Sequence, residues 1–386
     1  MHAGPSNARK LECGASFLEC RIAGTTQIFS DAQADIEHIA ERVAAVIAAQ
    51  RLRLRSQRAQ SVPAFGFFDR LVEAIVRRVV IGWADMDWAG NTLAENAALP
   101  RWGAMWLLAV AIYGALKLTS WLKRDRGTAP AWRHACYLLA WPGMDADAFL
   151  FGNRAKRPTL GEWAFAAAKF TTGLIILLVV VPALLPAMTP GITTATAIPS
   201  APPTAPVPAD SLHEYLVGWL GMLGLVLVLH FGLFQVLSCA YRQAGIDAVP
   251  IMNWPLTSRG ISEFWSQRWN LAFRDLTHRL LFRPTVRRLG PVGALVLAFL
   301  VSGLVHDAVI SLPAGGGYGL PTVFFLIQAA AILLERGRWG RAAGLGHGVR
   351  GWLFCLAALL LPCPLLFHPP FVLRVVVPFL HALGGV

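Results

Sequence analysis

Residues 291–312 read PVGALVLAFLVSGLVHDAVISL, an apolar run with no Lys or Arg and a proline in front, in which one histidine and one aspartate appear near the far end. A helix needs about 20 mostly apolar residues to cross a hydrocarbon core about 30 Å thick, and this run has that length. Stretches 102–122, 163–187 and 212–239 are of the same kind. The shorter runs 320–334, 351–367 and 371–385, bounded by Gly, Pro or Arg, are read as further spans. Residues 131–150 break at Trp141-Pro142-Gly143 and then carry two aspartates, which suits a re-entrant or interfacial piece better than a crossing. The expected fold is therefore all-α: a polytopic transmembrane protein of about seven to nine spanning or re-entrant helices.

Composition agrees. Of 386 residues 55% are hydrophobic and 15% charged, where soluble domains carry roughly a quarter charged residues. The formal charge of +12 would suit nucleic acid if the cations formed one patch. They do not. Lys and Arg concentrate in 123–162, 240–290 and 336–350, whereas 188–211, 313–319 and 368–370 have none. Alternation of this kind marks topology, with the basic loops expected on the cytoplasmic side of a multi-pass protein, and no nucleic-acid partner is expected.

The first hundred residues differ from the rest. Segments 34–60 and 65–84 read as polar-faced or amphipathic helices too polar to span, and no secretory h-region follows Met1. We expect 1–100 to be a non-spanning segment and 101–386 the membrane domain. The basic residues of 1–100 would fall on the side opposite to the basic loops, a conflict that a translation start at Met86 or Met105 would remove. The six cysteines show no zinc-type spacing and read as small buried hydrophobes.

Ionisable residues inside spans are costly, so they are where function is sought first. His306 lies late in 291–312, His230 in 212–239, Gln328 in 320–334 and Lys169 in 163–187. Ser302 and Gly303 precede His306 by one helical turn and offer a small-residue surface that a second helix or a substrate chain can approach. A neutral imidazole is suited to remove a proton from a hydroxyl, so His306 is the candidate general base; the competing reading is a histidine that only bridges helices. Asp307 points about 100° away along the helix, toward headgroups or another partner. In the basic stretch 255–288, Phe264, Trp265, Trp269 and Phe273 recur at helical spacing with Arg268, Arg274 and Arg279 among them, as in an amphipathic interfacial helix. Asn270, a short amide among aromatics, invites a specific hydrogen-bonding role.

Phe264-Trp265-Ser266-Gln267-Arg268-Trp269-Asn270 followed by Ser302-Gly303-Leu304-Val305-His306 resembles the paired motifs of membrane-bound O-acyltransferases. Trp141-Pro142-Gly143-Met144-Asp145, His230-Phe231-Gly232 and 324–335 resemble the wax synthase branch, so that the resemblance covers about 135–340 in order. It implies catalysis by His306 and Asn270 with no metal and no cofactor, acyl-CoA serving as co-substrate and a long-chain fatty alcohol as acceptor. Phe264, Trp265, Arg268, Trp269 and Ser302 are the residues expected to contact substrate, with arginines of 268–288 holding the phosphates of acyl-CoA. Many wax synthase relatives end the aromatic motif in His, whereas Asn270 resembles the sterol and diacylglycerol branches, so those acceptors stand as alternatives. From another class, a transporter or an acyl-CoA-binding scaffold would also need many spans, but the halves of the chain show no internal repeat.

Overall fold

The computed structural model describes residues 99–125, 127–152, 155–185 and 211–384. The helices expected over 34–60 and 65–84 lie outside these residues, as does most of the cation-free loop 188–211. Along the described chain the helices are α1 (Arg101–Leu122), α2 (Ala131–Ala140), α3 (Ala146–Phe151), α4 (Leu160–Leu184), α5 (Leu212–Gln243), α6 (261–268), α7 (Leu271–Ala314), α8 (Leu320–Arg336), α9 (Arg338–Ala343), α10 (Gly348–Leu366) and α11 (Pro369–Gly384). No strand occurs among the described residues.

Helices α1, α4, α5, α7 and α10 are long and apolar enough to cross a membrane. The expected spans at 320–334 and 371–385 are the apolar helices α8 and α11, which fall short of that length. α7 is two helices end to end: Gly290 sits at φ 70° and ψ 172°, a conformation costly for any residue with a Cβ, and Pro291 cannot donate to the preceding turn. The run quoted above thus begins at a true break, with the basic stretch on its other side.

Residues 131–150 do not cross. Trp141 to Asp145 is non-helical, and α1 holds it by its backbone: Lys117 donates to the carbonyls of Trp141, at 2.7 Å, and of Gly143, while Ser120 donates to that of Met144. Asp145 then caps α3 by accepting from the Ala148 N–H at 3.1 Å. Lys117, a second lysine within a span besides Lys169, is 2% exposed and stands 3.5 Å over the Tyr137 ring. Its ammonium is sealed by carbonyls and a π face, so its role is to hold this loop.

Helices α7 and α8 approach each other closely. A Cβ on Gly303 would lie 2.6 Å from the Thr322 Cα. One turn later Asp307, 4% exposed, accepts from the backbone N–H groups of Gly319 and Thr322, at 2.8 and 3.1 Å, from the Ser311 hydroxyl at 3.0 Å and from the Thr322 hydroxyl. It therefore faces the first turn of α8, whose unpaired amides and positive dipole end welcome a carboxylate. Of the free cysteines among the described residues, Cys239 and Cys355 are buried and Cys136 and Cys363 partly so.

Gly303→Val should overpack this contact and destabilise the fold by about 1–3 kcal/mol, read as a lower melting temperature of detergent-purified protein; an unchanged midpoint would show that α7 and α8 are not packed as described.

Candidate functional site

His306 ends the regular part of α7, just before a π turn over Asp307–Ser311. Its Nδ1 lies 2.7 Å from the Ser302 carbonyl. A carbonyl can only accept, so Nδ1 carries the hydrogen and the lone pair is on Nε2, the tautomer a base needs. The ring packs against Phe325 of α8 at a centroid distance of 4.4 Å. Ser302 is buried, and what it gives to the site is this carbonyl.

From Phe325 a network of rings runs to the aromatic motif. Phe325 meets Trp265 at 5.8 Å, Trp265 meets Phe264 at 5.2 Å, and Phe264 stacks on Trp269 at 5.4 Å. Trp269 also stacks with His230 of α5, at 6.4 Å and 11°. The four candidate groups Phe264, Trp265, Trp269 and His306 are thus joined in one packed assembly. α8 holds it in register: Gln328, fully buried, accepts from Trp265 Nε1 at 3.4 Å and donates to the Ala358 carbonyl at 2.9 Å. Glu335 accepts from the Ile261 and Ser262 N–H groups, at 2.6 and 3.3 Å, and so caps α6.

The segment 255–288 is not one amphipathic helix. α6 ends in a π turn over Phe264–Arg268, Trp269 is extended, and Asn270 takes the left-handed conformation at φ 42° before α7 begins. Asn is one of the few residues that adopt this conformation readily. Its Oδ1 caps α7 by accepting from the Phe273 N–H at 3.2 Å, and its own N–H points to Met252 Sδ at 3.3 Å. The short amide among aromatics is therefore explained first as a helix stop and start. What remains for a ligand is its Nδ2 donor.

Three of the arginines expected to hold phosphate, Arg268, Arg274 and Arg279, are engaged with the protein. Arg268 pairs with Glu263, Nη2 to Oε1 at 2.5 Å, and donates through Nη1 to Thr257 Oγ1 at 2.7 Å and to the Asn253 and Trp254 carbonyls at 3.4 Å. Arg274 pairs with Asp275 at 2.8 Å and Arg279 with Asp145 at 2.9 Å. Burial works against the charge on Glu263, but the Arg259 N–H and the Arg268 guanidinium outweigh it and hold the carboxyl below its ordinary range. Arg268 is thus a clamp on the turn at 253–257.

That turn walls a cavity of about 700 Å³ between the start of α4 and the middle of α5. Phe231, Met252 and Trp254 line it, together with Lys169 and Gln235. Backbone bonds from Asn253 N–H to the Arg268 carbonyl, at 2.8 Å, and from Leu271 N–H to the Ile251 carbonyl, at 3.0 Å, fasten the wall to the chain on either side of Asn270. Neither the cavity nor the wall was legible from the sequence, whose only hint was Lys169 within an apolar run. His230, expected within a span, rides a π turn over Leu227–Leu233, and its Nδ1 is buried with no hydrogen-bond partner among the described residues.

Residues 248–327, which contain the cavity wall, Asn270 and His306, match the membrane bound O-acyl transferase family. The chain is 34% identical over 71 residues to the long-chain-alcohol O-fatty-acyltransferase of Simmondsia chinensis, covering 16% of this chain and 20% of that protein. It is 30% identical over 148 residues to the probable long-chain-alcohol O-fatty-acyltransferase 1 of Arabidopsis thaliana, covering 34% of this chain and 42% of that one. The chain thus matches less than half the length of either relative.

Arg268→Lys keeps the charge and loses the fork. Limited proteolysis should cut within 250–257 faster in this variant than in the wild type. Because the folded pKa of Glu263 is depressed, the clamp is present above the ordinary Glu value of about 4.3 and is lost as pH falls through the lowered one, so acidification below about pH 4 should expose the same bonds. Cleavage unchanged in both conditions would remove the clamp assignment.

Proposed function

We propose that this chain, a member of the membrane bound O-acyl transferase family by its residues 248–327, transfers a fatty acyl group from acyl-CoA to a long-chain alcohol within the bilayer. The membrane domain is 101–386, its wax synthase-like core about 135–340, and its basic loops lie on the cytoplasmic side, where acyl-CoA is found. The observation that carries the reading is the setting of His306: Nδ1 tied to the Ser302 carbonyl and Nε2 without a partner among the described residues, inside the family-matched segment.

The alcohol hydroxyl donates to Nε2 of His306. As its proton passes to the imidazole, the oxygen attacks the thioester carbonyl carbon. The Ser302 carbonyl stabilises the imidazolium that forms, because the bond from Nδ1 strengthens when the ring is charged. Asn270 Nδ2 donates to the oxygen on which negative charge develops. Collapse breaks the C–S bond, the imidazolium returns its proton to the departing sulfur, and ester and free thiol result. No electron leaves the system and no covalent enzyme intermediate is needed. The rings of Trp265, Phe325 and Phe264 keep the site poor in water, which protects the thioester from hydrolysis.

His306→Ala should lower ester formation from labelled acyl-CoA and a panel of long-chain alcohols by about 10²–10⁴-fold; a rate equal to the wild type would end the general-base assignment. Asn270 needs a finer test, since it also caps α7. Asn270→Asp keeps the capping oxygen and the left-handed preference and removes the N–H donor. Wild-type thermal stability with a large loss of kcat in Asn270→Asp is expected; retention of both would confine Asn270 to the fold.

A further inference from the structure

The two lysines embedded in spanning helices are treated differently. Lys117 is sealed between two carbonyls and a tyrosine ring. Lys169 opens on the cavity of about 700 Å³. Its Nζ donates to Gln235 Oε1, a neutral group, and stands 4.2 Å from the Phe165 centroid and 5.8 Å from that of Phe231. Among the described residues no carboxylate pairs with it. The glutamate that shares the cavity, Glu162, is taken by Arg242 at 2.9 Å. A membrane-embedded cation with a neutral amide, two π faces and an empty volume beside it is arranged for an anion that arrives from outside.

The wall opposite is held in an uncommon backbone conformation. Trp254 holds a left-handed backbone conformation at φ 49°, rare for so bulky a residue, and Arg268 pins it through three oxygens of the same turn. Its ring lies over Phe165 at 4.6 Å and 16°, next to the ammonium. The cavity also abuts the motif: Phe231 meets Trp269 at 6.1 Å, and Met252 receives the Asn270 N–H. Its lining includes Thr159 and Glu162 of the basic segment 123–162 and residues 250 and 252–257 of the basic segment 240–290.

We infer that this cavity is the donor site of the reaction proposed above and that Lys169, rather than the arginines of 268–288, anchors the anionic, phosphate-bearing end of the acyl donor. The inference rests on that reading for the donor's identity; the anion site itself stands on the cavity and the unpaired lysine. A phosphate is the class that fits: a compact anion that a single ammonium recognises, attached to an apolar body that the aromatic walls accept. A phospholipid headgroup offers the same chemistry, and the experiment separates the two sources.

The test uses full-length protein in nanodiscs, with CoA itself as the probe for binding. Lys169→Met should weaken CoA binding about ten- to a hundredfold, the effect of one lost charge-assisted contact, and Lys169→Arg should restore most of it. In turnover, the KM for palmitoyl-CoA should rise by a similar factor with kcat within about twofold, whereas the phosphate-free donor S-palmitoyl-pantetheine should show the same KM with either protein. A defect that appears only in phosphatidylglycerol discs, and is equal for both donors, assigns the anion site to a lipid headgroup and overturns its place in donor binding. Equal CoA binding by wild type and Lys169→Met, or a KM rise shared by both donors in every lipid, overturns the anion site altogether. Leu256→Glu, at an exposed position on the cavity wall, places a repelling charge there and should weaken CoA binding without touching the lysine; no effect counts against the site even if Lys169→Met fails to fold. His306→Ala should bind CoA as the wild type does. If the wild type binds CoA through Lys169 yet makes no ester with any alcohol, the proposed function fails and the anion site remains.

Discussion

The carboxylate of Asp307 accepts four hydrogen bonds, three of them from the first turn of α8 and the glycine before it, and most of what else matters in this molecule follows from the position of that helix. A buried charge is retained only where donors replace water on nearly every side, and here the dipole end of a helix supplies two backbone amides at once. With α8 fixed, its length carries three further contacts in sequence. Phe325 supports the His306 ring, Gln328 reaches Trp265, and Glu335 caps α6. The same helix therefore positions the candidate base and the aromatic motif from opposite ends. Gly303 is the condition for it, because any side chain there would push α8 off the Asp307 carboxylate.

A second theme is how the basic residues are used. Charge alternation along the chain reads naturally as topology, and from the same cations one would expect a phosphate-binding strip along 268–288. The structure commits three of those arginines to protein oxygens: Arg268 to Glu263 and the turn at 253–257, Arg274 to Asp275, Arg279 to Asp145. Guanidinium groups suit this work because one fork can hold several oxygens in fixed directions. The point-like ammonium of Lys169 faces the cavity instead.

The apolar runs were legible because length and hydropathy are local properties, and helices α1, α4, α5 and the second half of α7 begin and end within a few residues of the expected bounds. His306 was legible too, as an ionisable group where none is cheap. Asn270 was singled out for the right reason, an amide among aromatics, but half of its chemistry belongs to capping a helix that the periodicity of 255–288 had run straight through. Aromatics at helical spacing look alike in one helix and in two pieces joined by a left-handed residue, and only the backbone distinguishes them. The ties of Lys117 to 141–144 and the wall at 250–257 were illegible because both are backbone contacts between distant segments, which leave no signature in side-chain type.

The break at Gly290 and Pro291 has a mechanical meaning. In a continuous helix, an axial slip or a change of winding in the basic half would be transmitted to the membrane half as rotation, about 100° for each residue of register. His306 would then swing off Phe325. The non-helical Gly290, followed by a proline that has no N–H to donate, interrupts that transmission. The basic half of α7 is bound instead to the loops, through Arg279 to Asp145 and the Leu271 N–H to the Ile251 carbonyl, while the imidazole is held by the Ser302 carbonyl and Phe325 of α8. The two halves of α7 thus answer to different neighbours, and a distortion of one is not obliged to turn the other.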